Sequence, residues 1–483
     1  MKKDIITNYI SQIINILLRF ILIPIYISKL GVSSFGIIGF YYSIESILVL
    51  ADFGIGLNSN KLIAEKFKSE PTRTYETIRS VEIFYVSVAF LIGIVVFISS
   101  DWIALDWLIV GDINFDVIYV IQLMAILLAV NWPKTLYENF LIGLLKISEK
   151  NYISIFFNIL RSVIMILCFT ELQSTIEMYF YVMIITILIE LIVMRVYISF
   201  NFKNNSSNIH FKYLKPFLKN TLGLGIFSIL SLFVFQTDKF IISKNLEISE
   251  LGIYNASSII PLAMLSIIYP IVSASFPRLV NINSNDQAKN IFKETTFLLA
   301  LLCSAYFLFI YSNLEFIGKF WLKENFNTIN ISASYFILLG ILLHSFTNLS
   351  TNLLIANNKS FVVNCSYLIS LISFFIYLFF VNDLTLIKIS IGWLICNVTL
   401  LILYFTSLFI IYKKISVSLI LTFLRFFTCI SFFLIFYHFV LIDINVAPLI
   451  KFFINSTSII LFIFIFSLNK IILYVKPYFN YEK

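Results

Sequence analysis

The sequence predicts an all-α polytopic membrane protein of about fourteen transmembrane helices, arranged as two six-helix lobes plus a C-terminal helix pair. Three observations predict it. Apolar residues make up 60% of the 483 and charged residues only 12%, with a mean hydropathy of +0.95; a soluble chain needs roughly twice that charge to coat its surface. Apolar runs of about 20 residues, enough to cross a bilayer as a helix, recur along the chain. The lysines and arginines gather in alternate connections, the pattern that orients membrane proteins.

In order, the expected spans are residues 9–29, 35–56, 78–98, 117–135, 151–170, 176–198, 217–238, 252–275, 291–312, 333–354, 361–380, 386–411, 416–440 and 449–469. The longest connections, near 57–77, 99–116, 199–216 and 313–332, are too short for a soluble domain. Met1-Lys2-Lys3 leads into the first span without a small-residue cleavage site, so that segment is expected to be retained. The lobes are expected at 1–200 and 217–411, and the added pair at 416–470.

With a cytoplasmic N-terminus, 24 of the 34 Lys and Arg fall on the inside and 7 on the outside. The remaining three, Arg19, Arg161 and Arg425, lie within spans. This asymmetry puts both termini in the cytoplasm and accounts for the net charge of +8 without a nucleic-acid partner. Five scattered cysteines, three distant histidines and the absence of a Gly-rich phosphate loop point to no disulfide framework, metal site or cofactor.

The chain also resembles itself. Lys29-Leu30-Gly31-Val32-Ser33-Ser34-Phe35-Gly36-Ile37 is echoed, with one insertion, by Lys244-Asn245-Leu246-Glu247-Ile248-Ser249-Glu250-Leu251-Gly252-Ile253. Leu141-Ile142-Gly143-Leu144-Leu145-Lys146 is echoed by Leu353-Leu354-Ile355-Ala356-Asn357-Asn358-Lys359. Both echoes are displaced by six spans, an even number, so the halves share one orientation. Parallel repeats of this kind build transporters with the substrate path between the halves.

Arginine at mid-bilayer costs about 2.5–3.5 kcal/mol on insertion scales. Arg19 and Arg161 each lie about ten residues into their spans, near the midplane at 1.5 Å per residue. Asn15 shares the face of Arg19, as Asn158 shares that of Arg161, while Glu45 and Asp52 share a face of the second span. Two roles stay open. Arg19 and Glu45 form an internal ion pair, with Glu190 available to Arg161; or the two arginines attract a diphosphate, which guanidinium binds bidentately. Asp238-Lys239 closes the seventh span, either as a solvated pair or as a gate or ion-coupling site. His344 and Asn348 line one side of the tenth span; Asn348 suits sugar hydroxyls, and His344 is either a packed residue or a proton carrier.

The chain resembles the Wzx-type O-antigen and polysaccharide flippases of the multidrug/oligosaccharidyl-lipid/polysaccharide exporter superfamily. The likeness rests on Lys29-Leu30-Gly31-Val32-Ser33-Ser34-Phe35-Gly36, on Asp52-Phe53-Gly54-Ile55-Gly56 with Ala64-Glu65, and on Thr237-Asp238-Lys239 with Leu251-Gly252-Ile253-Tyr254. It implies a bacterial inner-membrane flippase moving undecaprenyl-diphosphate-linked oligosaccharide between leaflets. It also implies membrane lipids and other polysaccharide-assembly proteins as partners, and leaves a coupling ion, H+ or Na+, unnamed. A multidrug antiporter of the same superfamily favours acidic rather than cationic cavity residues. A polymerase or glycosyltransferase calls for a larger external loop or a catalytic carboxylate motif.

Overall fold

A computed structural model describes residues 2–51, 54–111, 114–171, 174–202, 217, 225–280, 285–357, 359–441 and 446–479. Among them the chain is almost wholly helical, and the described parts of the fourteen expected spans fall on helices; residues 52–53 of the second span and 218–224 of the seventh lie outside the described residues. Among the described residues ten helices are long and apolar enough to cross a membrane, and a bent pair makes an eleventh. The protein is thus a multi-pass helical membrane protein. By packing, the chain divides into two compact units, Met1–Gly252 and Ile253–Lys483.

In the first unit α1 (Lys2–Ala51) holds two expected spans in one run, broken at Gly31. There φ is 82° and ψ 167°, backbone angles that a residue with a Cβ strongly resists, and the sequence supplies glycine. A 50-residue helix would extend about 75 Å at 1.5 Å per residue, more than twice the hydrocarbon thickness, so a break near its middle is required of two spans.

A short helix α2 (Ile55–Lys66) follows Gly54, itself at φ 83°. The expected loop at 57–77 is therefore largely helical. Its apolar side, with Ile55 and Ile63 buried, packs on α4 (Val117–Gly143). Twelve residues with a single apolar stripe carry no spanning signal, and the period of that stripe is what makes the segment a helix.

Helices α3 (Pro71–Ile98), α5 (Ile147–Glu171) and α6 (Ile176–Asn201) complete the packing around α4. The last helix wholly in this unit, α7 (Gly225–Asn245), lies against α1.

The unit boundary falls inside α8 (Ile248–Leu262). α8 is bent by 48° from α9 (Leu265–Val280) at a short break after Pro261. The second unit continues with α10 (Asn285–Leu322), α11 (Ile331–Ala356), α12 (Ser360–Phe379) and α13 (Leu386–Ile411). α11 is its central helix, packed against α9, α10, α12 and α13. The added pair, α14 (Lys413–Phe436) and α15 (Pro448–Phe479), docks on α10. There Asn455 Nδ2 donates to Ser312 O and Asn313 Oδ1, at 3.1 and 3.2 Å.

The self-resemblance has a structural counterpart. After α4, Lys146 N–H reaches back to Leu141 O (2.9 Å) and Leu144 N–H to Phe140 O (3.0 Å). After α11, Lys359 N–H bonds Leu354 O (2.8 Å) and Asn357 N–H bonds Leu353 O (3.2 Å). The two echoed segments thus close their helices with the same 6→1 and 5→1 bonds, which satisfy carbonyls a helix end leaves open.

Candidate functional site

Three of the expected polar residues of the first unit, Asn15, Asn158 and Arg161, form a connected network. From α5, Asn158 Nδ2 donates to Asn15 Oδ1 on α1 at 2.7 Å. Arg161 Nη1 donates to Asn158 Oδ1 at 3.1 Å, its Nε to Thr186 Oγ1 at 2.9 Å and its Nη2 to Glu190 Oε2 at 3.0 Å. Glu190, on α6, has no exposed surface and also pairs with Lys134 Nζ at 2.8 Å. A carboxylate so deep is tolerated because two cations meet it; losing both would leave a buried charge uncompensated.

Lys134 falls at the very end of the expected span 117–135 and counts there among the 24 inside basic residues. It lies inside α4, nine residues before its end. The apolar run stops at Asn131 and Pro133, but the helix does not: a proline costs one hydrogen bond, which neighbouring helices in a membrane bundle can make good.

Glu45 takes a different partner from the one expected. No ion pair within 4.0 Å joins it to Arg19. Its Oε1 accepts from Asn131 Nδ2 on α4, which also donates to Tyr41 Oη at 3.2 Å. Beside it Tyr42 and Tyr179 hydroxyls lie 3.1 Å apart, and the Tyr179 ring meets Tyr26 edge-on at 5.4 Å.

Arg19 is exposed, one helical turn beyond Asn15 on α1. Among the described residues it has no hydrogen-bonded or ion-paired partner. It stands 12 residues before the break at Gly31, near the middle of the first arm of α1. Asp52 lies outside the described residues.

A second ionic cluster escaped the sequence reading. Glu82 on α3 accepts from Arg79 Nη1 (2.6 Å) and Tyr137 Oη (2.8 Å) and forms an ion pair with Arg195 Nε (2.5 Å), tying α3, α4 and α6 together. Arg79 and Arg195 count among the inside basic residues of the sequence; nothing in it marks Glu82 and Tyr137 as their partners.

Asp238 and Lys239 do not close their span. α7 runs on to Asn245, so both sit inside it; Asp238 is buried and its Oδ1 caps the Lys239 amide at 2.9 Å, while Lys239 Nζ bonds Gln236 Oε1 at 3.0 Å. They belong to the first unit but are not joined to the Glu190 network among the described residues.

In the second unit His344 is buried on α11, with Nδ1 3.1 Å from Asn397 Oδ1 on α13. Asn397 uses its amide nitrogen on Trp393 O (2.9 Å), which turns its oxygen to the ring and puts the imidazole proton on Nδ1. Asn348 Nδ2 bonds back to His344 O at 3.0 Å. Among the described residues no group of three His, Cys, Asp or Glu is placed to hold a metal ion.

The sequence pattern of the polysaccharide biosynthesis protein family matches residues 1–283, and the chain belongs to that family. No curated protein matches the sequence. Among solved structures, the lipid II flippase MurJ in an inward closed conformation shares 14% identity, with a TM-score of 0.71 over 98% of this chain and 100% of that one. The Vibrio cholerae MATE transporter VcmN shares 11%, with 0.59 over 84% and 96%. A Pyrococcus furiosus transporter of the MOP superfamily shares 14%, with 0.56 over 88% and 94%. These likenesses establish the fold as that of MOP-superfamily transporters and flippases.

Proposed function

We propose that the protein is a flippase carrying undecaprenyl-diphosphate-linked oligosaccharide, of the O-antigen class, from the cytoplasmic to the periplasmic leaflet of the bacterial inner membrane. Both termini are cytoplasmic in this reading, as the basic connections indicate. The single observation that carries it is Arg19: a permanent cation, exposed in the middle of an apolar helix arm, with no hydrogen-bonded or directly ion-paired partner among the described residues. Such a group is costly in hydrocarbon unless it faces water or an anionic ligand.

Support comes from the family, whose members are polysaccharide biosynthesis proteins, and from a fold shared with a lipid II flippase. The substrate joins a doubly negative, hydroxylated head to a tail at home in lipid. A polar, cationic interior receives the head while the tail stays outside. Two lobes, 1–200 and 217–411, alternate access, with the pair 416–470 added to them; Asp52, Asp238, Lys239 and His344 are candidates for gating or ion coupling. Other polysaccharide-assembly proteins supply the substrate and consume the product.

Deleting the gene is expected to abolish surface polysaccharide while carrier-linked units still form on the cytoplasmic side. A strain that fails to make the lipid-linked unit at all would mark a synthetic enzyme instead. Phosphatase and fluorescent-protein fusions at the connections test the orientation; a periplasmic C-terminus would overturn it.

A further inference from the structure

We propose that Lys134 and Arg161 form a two-pronged site for a diphosphate, with Glu190 as a counter-ion shielded behind them; the proposal rests on the flippase reading. The three residues come from α4, α5 and α6. Their exposures set up the site: the Glu190 side chain is 0% exposed, whereas those of Arg161 and Lys134 are 14% and 16% exposed. An approaching anion therefore meets two cationic tips and not the carboxylate that holds them.

Donor counting shows what the tips can offer. Guanidinium has five N–H groups. Thr186, Asn158 and Glu190 take three of them, one each from Nε, Nη1 and Nη2. One N–H on each terminal nitrogen is left, the pair that grips a phosphate bidentately. Ammonium has three, and Lys134 meets Glu190 Oε1 as an ion pair at 2.8 Å without a hydrogen bond to it, which leaves its donors to a ligand. Asn131, three residues earlier on α4, is committed to Glu45 and Tyr41 and does not compete.

The triad carries a net charge of +1 in surroundings where charge is poorly screened. Two phosphoryl groups joined by one oxygen match two prongs tied to a common carboxylate: the fork on one, the ammonium on the other. A monophosphate satisfies only one prong. Lys134 thereby becomes a residue that separates diphosphate from monophosphate, and Glu190 a competitor that keeps the product from binding too tightly to leave.

The test uses the full chain in nanodiscs of zwitterionic lipid, with farnesyl diphosphate, farnesyl monophosphate and inorganic pyrophosphate as probes. Wild type is expected to prefer the prenyl diphosphate over the monophosphate by about tenfold, the worth of one added charge-assisted contact. Comparable binding of pyrophosphate shows recognition of the diphosphate alone; weaker pyrophosphate binding shows that the lipid carrier adds to it, and the two-pronged site stands in both cases.

Lys134→Gln leaves a balanced Arg161–Glu190 pair and is expected to erase that preference; Lys134→Arg restores it. Glu190→Gln is expected to raise affinity and slow export at matched membrane levels. Equal preference in wild type and folded Lys134→Gln overturns the proposal, as does weaker binding by folded Glu190→Gln. The flippase reading fails separately: a deletion strain that exports normally sinks it even where the diphosphate binds. A protein that binds no diphosphate, in a strain whose deletion still blocks export, sinks the site alone.

Discussion

The two units handle buried polarity in opposite ways. In the first, polar groups are joined by charge: Glu82 holds Arg79 and Arg195, and Glu190 holds Lys134 and Arg161. In the second, the one ion pair between described side chains, Lys319 with Glu315, is on the surface. Its interior is settled by neutral bonds instead, such as His344 to Asn397, and Ser345, Thr347, Ser350 and Thr351 to carbonyls of their own helix. Among the described residues these buried contacts of the second unit are neutral. Since neutral residues often pack as well as an ion pair, the charges of the first unit are explained by function better than by folding.

The contrast breaks most visibly at Glu82. Glu82→Ala strands two arginines and a tyrosine hydroxyl and is expected to cost about 3–5 kcal/mol, read as a lower melting temperature and lower abundance. A change under about 1 kcal/mol would mean that water already carries those charges.

Arg19 sharpens the contrast from the other side. Arg19→Gln is expected to cut export at least tenfold, about 1.4 kcal/mol in the rate-limiting barrier, with abundance unchanged because it has no partner to strand. Adding Glu45→Gln should not restore export, since Glu45 is held by Asn131. Rescue by that second change would return Arg19 to a structural role. In the second unit Asn397→Ala removes the acceptor of His344 and is expected to cost about 1–3 kcal/mol, read as a lower melting temperature. A loss of export at full abundance would place His344 in the transport path.

What could be read from the sequence followed scale. Spans were legible because a bilayer imposes a length on them, and one helix of some 20 apolar residues announces itself without reference to any other. The break at Gly31 falls between the expected spans 9–29 and 35–56, and glycine chemistry settles its place. Partners were less legible, because facing depends on neighbours. Arg161 with Glu190 could be named from depth alone, but Glu45 turned to Asn131, a residue with no charge to mark it. Lys134 and Asp238-Lys239 were displaced for one reason: hydropathy falls before a helix ends. The Gly36 echo of Gly252 carried more than homology of pattern. A Cβ on Gly36 would lie 2.0 Å from Ile248 O, and one on Gly252 2.2 Å from Val32 O, so the repeated glycines let two backbones touch.

The shared carboxylate at Glu190 also has a history within each molecule's making. Ribosomes deliver Lys134 first, Arg161 next and Glu190 last. At about 5–20 residues per second, roughly 3–11 s pass between the first cation and its counter-ion. During that interval α4 and α5 must wait with unmatched charges, Lys134 stretching its tail toward the headgroups. The arrival of α6 is then the moment at which three newborn helices lock, so a stop codon or a stalled ribosome before residue 190 leaves a nascent bundle the membrane has reason to reject.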